Sequence, residues 1–317
     1  MGLKIADMTR HDTGHQSFKI SKAINAFTEH ESRSFVSAAD NTYMKWAHDL
    51  DIDDPSDVRT GADWLREVDL VHAHNKYRRM KGWGPIRPGV AVLMHQHSRP
   101  PPEDRAGKAH ADAIRGALRV VSTLNLIDCV GNDPARWIPA PLFLDDFDAV
   151  ARSAKRPEET ADEFWLSHSP TCRDNKGTAH VAGAVEQLRA EGYPIKLKLT
   201  ERTAHADVLA LRAQCDATYD QMHLCYGNSG LEGMAFRHPV LVGPPAAVRG
   251  TILDVVGHEP YIYVRPETLR DTLRDLIEDA SLRKHWASVG RAYVETWHSA
   301  PFVARRVAAC YETLCRK

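Results

Sequence analysis

The chain has 317 residues, which is enough for two domains that each bury a core, and its 43% hydrophobic and 26% charged residues are typical of a globular protein. A formal net charge of -1 argues against a general polyanion binder. Because we find no signal peptide, no segment of transmembrane length and no metal-ribbon spacing among the six cysteines, we expect a cytoplasmic protein with reduced thiols.

In the first half, short apolar segments alternate with segments of helical periodicity, which predicts parallel strands joined by helical crossovers. Strands are predicted for GLKIADM, RSFVSA, VDLVHAH, GVAVLMHQ and LRVVST, and a helix for SFKISKAINAFTEH. The segment ARWIPAPLFLDDF is predicted to be extended, and the polar segment 151–164 to be a linker.

The second half repeats this alternation. Strands are predicted for FWLSHSP, YPIKLKLTE, CDATYDQ, PVLVG and YIYV, and helices for AHVAGAVEQLRAEG and HADVLALRAQ. LEGMAF opens a further helix, and the chain is mainly helical from Glu267 onward. Two αβ halves of similar size indicate a ligand in a cleft between them, at the carboxyl ends of the strands.

The stretch YGNSGLEGMAF (226–236) places small residues directly before a predicted helix. The N–H groups of a helix start favour an anion, and small side chains let a ligand approach the backbone. Glu232 is predicted to lie in the first turn. The alternative interpretation is a tight loop followed by an acidic residue that complements the helix dipole.

A second candidate phosphate site is HSPTCRDNKGT, where Arg173 and Lys176 are predicted in a loop beside Gly177. A lysine charge and an arginine fork near a helix start would clamp a diphosphate, whereas the alternative is a solvated basic loop. Two such loops in one half favour a nucleotide diphosphate. Neither GxxxxGK[ST] nor GxGxxG is present, which argues against P-loop hydrolysis and ordinary dinucleotide binding.

Histidine pairs end two predicted strands. His72 and His74, and likewise His95 and His97, are two residues apart, so each pair points to one face of its strand and could ligate a metal. The 17 histidines include no HExxH motif, and we predict no metal site.

A basic and aromatic segment covers residues 75–89. It is typical either of a site for a phosphate-bearing acceptor or of a solvated basic loop. Its basic and aromatic members are Lys76, Tyr77, Arg78, Arg79, Lys81, Trp83 and Arg87.

Residues 164–296 resemble the donor domain of the retaining GT-B-fold glycosyltransferases, the group of sucrose synthases, starch synthases and bacterial cell-surface mannosyltransferases. The resemblance rests on KGT, HADVLALRAQCDATYDQ, GNSGLEGMAFRHPVLVG and DLIEDASLRKHWASVGRAYVETWHS. It implies an α/β, GT-B fold with two Rossmann-like αβα domains facing across a cleft. The implied domains are an acceptor-binding domain (1–152), a nucleotide-sugar donor-binding domain (153–297) and a C-terminal helix (298–317) that crosses back to the first.

The resemblance further implies a glycosyltransferase that moves a sugar from a UDP- or GDP-linked donor to an acceptor hydroxyl, with retention and without a metal or cofactor. Glu232 would accept hydrogen bonds from the ribose hydroxyls. His95 or His97 would face the cleft and contact the sugar or the acceptor hydroxyl; a structural role is the alternative for both. The implied catalytic residues are Lys176, Arg173, His95 and His97. The implied donor-binding residues are Gly14, Lys176, Gly227, Asn228, Ser229, Gly230, Leu231 and Glu232.

The sequence departs from the family pattern at three places. Leu224 stands where the family has a second glutamate, and Thr171 where it commonly has an arginine, so that Arg173 is the proposed substitute. Gly14 and His15 stand where the family has paired glycines. The implied partners are a nucleotide sugar and an acceptor glycan, a lipid-linked sugar or a hydroxylated DNA base, with peripheral membrane contact as a further option. A GT-B-fold sugar-nucleotide epimerase and a non-catalytic sugar-nucleotide binding protein remain alternatives.

Overall fold

The computed structural model describes residues 2–9, 14–37, 47–75, 90–99 and 117–316. The chain divides by its internal contacts into two units, the first being Met1–Leu142 with His298–Lys317 and the second Phe143–Trp297. The basic side chains predicted to bind an acceptor, from Lys76 to Arg87, lie outside the described residues. Among the described residues, no helix is both long enough and apolar enough to span a membrane.

The first unit is built on a parallel sheet. Its described strands lie in the order β3-β2-β1-β4-β5-β6, with β1 at Lys4–Met8, β2 at Glu31–Val36, β3 at Leu50–Asp51, β4 at Leu70–His74, β5 at Ala91–Gln96 and β6 at Leu118–Val121. Every described strand pair is parallel. The helices α1 (Gln16–Phe27) and α2 (Pro55–Glu67) connect strands of this sheet.

The second unit contains a second parallel sheet, in the order β11-β10-β9-β7-β8. Its strands are β7 (Phe164–His168), β8 (Ile195–Leu199), β9 (Ala217–Met222), β10 (Val240–Gly243) and β11 (Ile262–Tyr263). Its helices are α3 (Leu144–Ser153), α4 (Arg173–Lys176), α5 (Thr178–Ala190), α6 (His205–Arg212), α7 (Asn228–Ala235), α8 (Ala246–Val256), α9 (Pro266–Glu278) and α10 (Ala280–Trp297).

The last helix, α11 (Ala300–Cys315), completes the core of the first unit. It packs Val303, Val307 and Tyr311 against α1 and against inward residues of the sheet such as Ile5 and Leu93. Full burial of such a side chain contributes roughly 1.5–3 kcal/mol. The helix is therefore an integral part of the unit that begins almost 300 residues earlier in the chain.

The boundary between the units differs from the predicted one. The sequence predicts a linker at 151–164 and a first domain that ends at residue 152, but α3 belongs to the second unit. Phe147 of α3 packs edge-on against Phe236, with ring centroids 5.2 Å apart, and Asp148 forms an ion pair with Arg291 at 2.8 Å. These contacts place the division at Leu142/Phe143.

Local signals account for an element that the prediction left out. Helix α2 follows Asp54, whose carboxylate accepts hydrogen bonds from the N–H groups of Ser56 and Asp57, and Pro55 occupies the first helical position. A capping aspartate followed by proline is the usual start of a helix. The short strand β3 and the helix α8 were not predicted either.

Strand order reverses once in each sheet, between β1 and β4 in the first and between β7 and β9 in the second. The loops that leave two adjacent strands at such a point run in opposite directions, which opens a crevice at the carboxyl ends of the strands. Ligands in open α/β sheets bind in this crevice. Each sheet therefore has one such position.

Candidate functional site

Helix α7 begins close to the carboxyl end of β9, at one side of the reversal in the second sheet. It starts at Asn228 with Gly227 as its N-cap, three residues earlier than the predicted start at Leu231. Glu232 therefore lies beyond the first turn, contrary to the prediction. The first-turn N–H groups of a helix lie outside its hydrogen-bond ladder and carry its positive partial charge, which makes this end suited to an anion.

Asp220, which is 1% exposed in β9, organises this end of the helix. Its Oδ1 accepts a hydrogen bond from the Lys176 ammonium at 3.3 Å, and its Oδ2 accepts one from the Gly227 N–H. A Cβ on Gly230 would lie 2.8 Å from the same carboxylate. The small residues thus make room for Asp220, and the carboxylate brings Lys176 to the start of α7.

Lys176 itself ends the one-turn helix α4, where the sequence analysis predicted a loop. The turn stops because Gly177 takes the left-handed conformation, with φ of 67°. A side chain at Gly177 is excluded for a second reason, since its Cβ would meet the Tyr219 hydroxyl at 2.9 Å and the Met222 side chain at 3.0 Å. These constraints fix the backbone that carries the lysine.

Arg173, the other predicted half of the clamp, contacts Glu201. Its guanidinium donates to both carboxylate oxygens, at 2.9 and 2.5 Å, and its side chain is 59% exposed. The Glu201 partner raises the pKa of Arg173 further above its usual value. The described geometry therefore brings Lys176 to the start of α7 and engages Arg173 in a surface ion pair.

Glu232 takes part in a buried charged network. Its Oε1 lies 2.7 Å from His205 Nε2, and its Oε2 accepts a hydrogen bond from Arg212. Arg212 is only 1% exposed and also donates to the hydroxyls of Ser169 at 3.0 Å and Ser229 at 2.9 Å. The arginine thus links the residue after β7 to the first turn of α7.

His168 fastens the end of β7 to its neighbours. Its Nδ1 donates to the Tyr219 carbonyl at 3.2 Å, which leaves Nε2 to accept from the Thr178 hydroxyl at 2.8 Å. Burial lowers the pKa of His168 to about 4, so the ring is neutral at neutral pH. Thr178 is the first residue of α5, and the histidine therefore positions the helix that follows Lys176 and Gly177.

Sequence reasoning missed Asp220 and Arg212. Both are charged residues inside elements that were correctly predicted, a strand and a helix. The signal for Asp220 was an acidic residue in the second half of an otherwise buried strand, followed seven residues later by glycine. Arg212 gave no comparable signal, because arginine at the end of a helix is usually solvated.

The remaining predicted residues lie in the first unit. His95, one of the two histidines predicted to face the cleft, is fully buried, and its Nε2 lies 3.1 Å from the Ile138 carbonyl. The chain that follows β6 returns alongside the end of β6, where the Ile138 N–H donates to the Val121 carbonyl at 2.8 Å, and this return covers His95. His97 is half-buried, and Gly14 precedes α1 with φ of 77°.

Comparison with known proteins gives a likeness of fold. No family model and no curated protein matches the chain. An alpha-glucosyltransferase in complex with UDP and a 13-mer DNA containing an HMU base is 9% identical, with a TM-score of 0.67 over 98% of this chain and 100% of that one. A glycosyltransferase from Rickettsia africae is 13% identical, with a TM-score of 0.66 over 100% and 99%.

A third similar structure is WaaG, a glycosyltransferase involved in lipopolysaccharide biosynthesis, which is 15% identical with a TM-score of 0.57 over 97% of this chain and 99% of that one. At such low identity these likenesses concern the fold. They confirm the predicted α/β class and the GT-B fold, with its two parallel sheets and interleaved helices.

Proposed function

We propose that this GT-B-fold chain is a glycosyltransferase that moves a sugar from a nucleotide-diphosphate sugar to an acceptor hydroxyl. The observation that carries the proposal is the meeting of Lys176 with the N-terminus of α7, at the carboxyl ends of β7 and β9. A fixed ammonium group and a helix start together attract the two phosphates of a nucleoside diphosphate. The complexes with UDP among the similar structures support this choice of ligand.

The chemistry asked of this site is stabilisation of a leaving group. As the bond between the anomeric carbon and the diphosphate oxygen breaks, negative charge accumulates on the diphosphate. Lys176 and the N–H groups at the start of α7 are preorganised to receive that charge, and one such donor is worth roughly 3 kcal/mol. We propose that the transfer needs no catalytic metal, because these groups already supply the positive charge. Retention of the anomeric configuration is proposed from the resemblance of residues 164–296 to the retaining GT-B glycosyltransferases.

Glu232 is the proposed ribose ligand. Each carboxylate oxygen has two lone pairs, so Oε1 can accept from a ribose hydroxyl in addition to its contact with His205. The His205 side chain is 21% exposed, which makes this the more accessible side of the carboxylate, whereas Arg212 on the other side is buried. Arg212 holds the carboxylate in place through Oε2.

The acceptor is proposed to bind to the first unit and to carry negative charge. The basic and aromatic segment 75–89 motivates this proposal, together with the DNA in one similar structure and the lipopolysaccharide pathway of another. A hydroxylated DNA base, a lipid-linked sugar and a surface glycan are the acceptors to test. All six cysteines are free thiols, which agrees with a cytoplasmic location.

A nucleotide-sugar screen tests the proposal. UDP- and GDP-sugars are added to the protein, melting is monitored, and the products formed with DNA containing hydroxymethylated bases or with glycan acceptors are identified. A ligand at a hundred times its dissociation constant stabilises the protein by about 2.7 kcal/mol. Sugar on an acceptor supports transfer, whereas a changed free sugar nucleotide indicates an epimerase and an unchanged one a binding protein.

The matched pair Lys176→Ala and Lys196→Ala tests the site. Lys196 lies in the same unit, 52% exposed, and contacts Glu163 at 3.6 Å. We expect Lys176→Ala to lose nucleotide-diphosphate affinity and turnover and Lys196→Ala to keep both. Wild-type affinity in a folded Lys176→Ala protein would refute the assignment, and a requirement for added magnesium or manganese would refute the metal-free mechanism.

A further inference from the structure

The carboxyl end of the first sheet gathers five ionisable side chains on one face. Asp7 of β1 lies opposite His72 of β4 in the parallel register, and His74 lies opposite His95 of β5. Register partners in neighbouring strands point to the same side, as do residues two apart in one strand. Asp7 and the four histidines, which we call the imidazole cluster, therefore share a face at the point where the strand order reverses.

Four of the five members of this cluster are deeply buried, and His97 is half-buried. Asp7, His72 and His95 are 0% exposed and His74 is 4% exposed. Ring contacts join them: His72 Nε2 lies 3.2 Å from His95 Nδ1, and His74 Nδ1 lies 2.6 Å from His97 Nε2. One ligand atom from each of His72, His74 and His95 lies within 4.8 Å of the other two.

The hydrogen-bond partners of the outer nitrogens determine where the lone pairs point. His95 Nε2 faces the Ile138 carbonyl at 3.1 Å, and because a carbonyl has no proton to give, the His95 proton is on Nε2. Its Nδ1 therefore carries a lone pair, which points to His72.

The groups around His72 Nδ1 bear on which ring nitrogen of His72 carries the proton and which carries the lone pair. Its Nδ1 lies 2.7 Å from the Tyr311 hydroxyl, which can accept a proton carried on Nδ1, and 3.3 Å from Asp7 Oδ2, whose negative charge attracts that proton. The His72 lone pair is then on Nε2, opposite the lone pair of His95. In this tautomer the two lone pairs face each other across 3.2 Å, and one cation between them would satisfy both.

His74 extends the same arrangement. Its Nε2 lies 2.8 Å from Asp7 Oδ1, although it is misaligned for an ordinary hydrogen bond, and its Nδ1 points toward His97. The Asp7 carboxylate thus lies beside a ring nitrogen of both His72 and His74. Histidines that ligate metals nearly always have a carboxylate or a carbonyl on the second ring nitrogen, as His72 and His95 do here.

We propose that the imidazole cluster binds a divalent transition metal of the zinc class, with His72 Nε2, His95 Nδ1 and His74 as ligands and Asp7 as the group that orients them. Nitrogen ligands about 2.0–2.1 Å from a tetrahedral zinc ion lie roughly 3.4 Å apart, close to the spacing of the His72 and His95 nitrogens. The imidazoles suit zinc, copper, iron or nickel rather than magnesium or calcium. The site lies in the first unit, whereas the proposed diphosphate site lies in the second.

Metal uptake by the full-length protein, made without a polyhistidine tag and stripped with a chelator, tests the proposal. We expect one Co²⁺ per chain with the visible absorption of nitrogen coordination, displacement of Co²⁺ by Zn²⁺, and a higher melting temperature with Zn²⁺. His72→Gln and His95→Gln are expected to lose this uptake. Asp7→Asn, which keeps the shape of the side chain, is expected to weaken it about 10–100-fold.

His298→Gln is the matched control, because His298 is another buried histidine of the same unit, 1% exposed and bonded to the Ala140 carbonyl at 2.9 Å. We expect this variant to take up Co²⁺ as the wild type does. Absence of stoichiometric uptake in the folded wild type would overturn the proposal and leave a shared proton between His72 and His95. Equal uptake by wild type and His72→Gln would overturn it as well, since the metal would then bind elsewhere.

Discussion

Glutamine in place of Glu232 removes the charge that pairs with Arg212 inside the second unit. Both side chains are buried, at 1% exposure for the arginine and 6% for the glutamate, so water cannot replace the lost partner. Breaking a buried pair by removing one charge costs roughly 3–5 kcal/mol. An acidic residue that only complements a helix N-terminus would cost about 0.3–1 kcal/mol, and Glu232 lies beyond the first turn of α7.

Since glutamine keeps one acceptor oxygen, we expect a loss near the lower end, about 3 kcal/mol, or roughly 6–12 °C in melting temperature for a unit of this size. Urea unfolding and thermal melting of Glu232→Gln measure this loss. Replacing both partners, as in Glu232→Leu with Arg212→Met, should recover part of the stability because it leaves no unpaired buried charge. A loss below about 1 kcal/mol in the single variant would refute the buried-network argument.

The same variant tests the proposed ribose contact. Hydrogen bonds to an ionised acceptor contribute roughly 1.5–3 kcal/mol, and a neutral amide replaces them only in part. Glu232→Gln should therefore weaken a nucleoside diphosphate with an intact ribose much more than its 2′,3′-dideoxy analogue. Calorimetric titration of both proteins with both nucleotides measures the difference. Equal losses for the two nucleotides would remove Glu232 from the ribose site while leaving its structural role intact.

Three further predictions follow from the same contacts. Gly230→Ala should cost about 1–3 kcal/mol of stability, because the added Cβ would lie 2.8 Å from Asp220. Gly183→Ala has open space at its Cβ and should stabilise helix α5. Equal urea midpoints for the two variants would contradict this pair of predictions. The pKa of His168 is about 4 in the folded protein, against 6.5 in the unfolded chain. The stability that this difference contributes is complete above pH 6.5 and is lost as the pH falls toward 4, by about 3 kcal/mol in total. His168→Asn should accordingly flatten the fall of unfolding free energy across that range, and an unchanged pH profile would count against a buried neutral ring. Alanine at three basic positions of segment 75–89 should impair use of an anionic acceptor without affecting nucleotide binding. If the acceptor is DNA, its binding to the wild-type protein should weaken steeply with salt. Unchanged acceptor kinetics in the triple variant would identify the segment as a solvated loop. The positions are Arg78, Arg79 and Lys81.

Local patterns in the sequence predicted most of the fold. The alternation of apolar strands with helical segments located ten of the eleven described strands and indicated the two parallel sheets; only the two-residue β3 was left out. The helix α7 began earlier than predicted because Gly227 to Gly230, chosen as a phosphate loop, includes the N-cap and the first helical turn. Small residues are compatible with both a phosphate loop and a helix start, and here the Asp220 carboxylate accepts a hydrogen bond from the Gly227 N–H at the start of the helix.

The charged contacts of the site could not be predicted in the same way. The glycine beside it singles out Lys176 in the sequence, but its partner Asp220 lies 44 residues away, and Arg212 contacts Glu232 across a separation of 20 residues. Charged residues are rarely buried without a partner, and the partner is decided by which elements become neighbours. The contacts of the histidine pairs could not be predicted for the same reason, since it is the strand order β1-β4-β5 that brings Asp7 and both pairs together.

The two sheets thus use the position at their strand reversal in opposite ways. In the first, the early inward positions Ile5, Leu70 and Leu93 belong to the apolar core under α1 and α11. The later inward positions, beyond this core, are Asp7 and the histidines, which together suit a cation. In the second, the strand ends lead to Lys176 and the start of α7, which suit an anion, and Asp220 neutralises the lysine until one binds. A diphosphate therefore has to compete with Asp220 both for the Lys176 ammonium and for the Gly227 N–H at the start of α7.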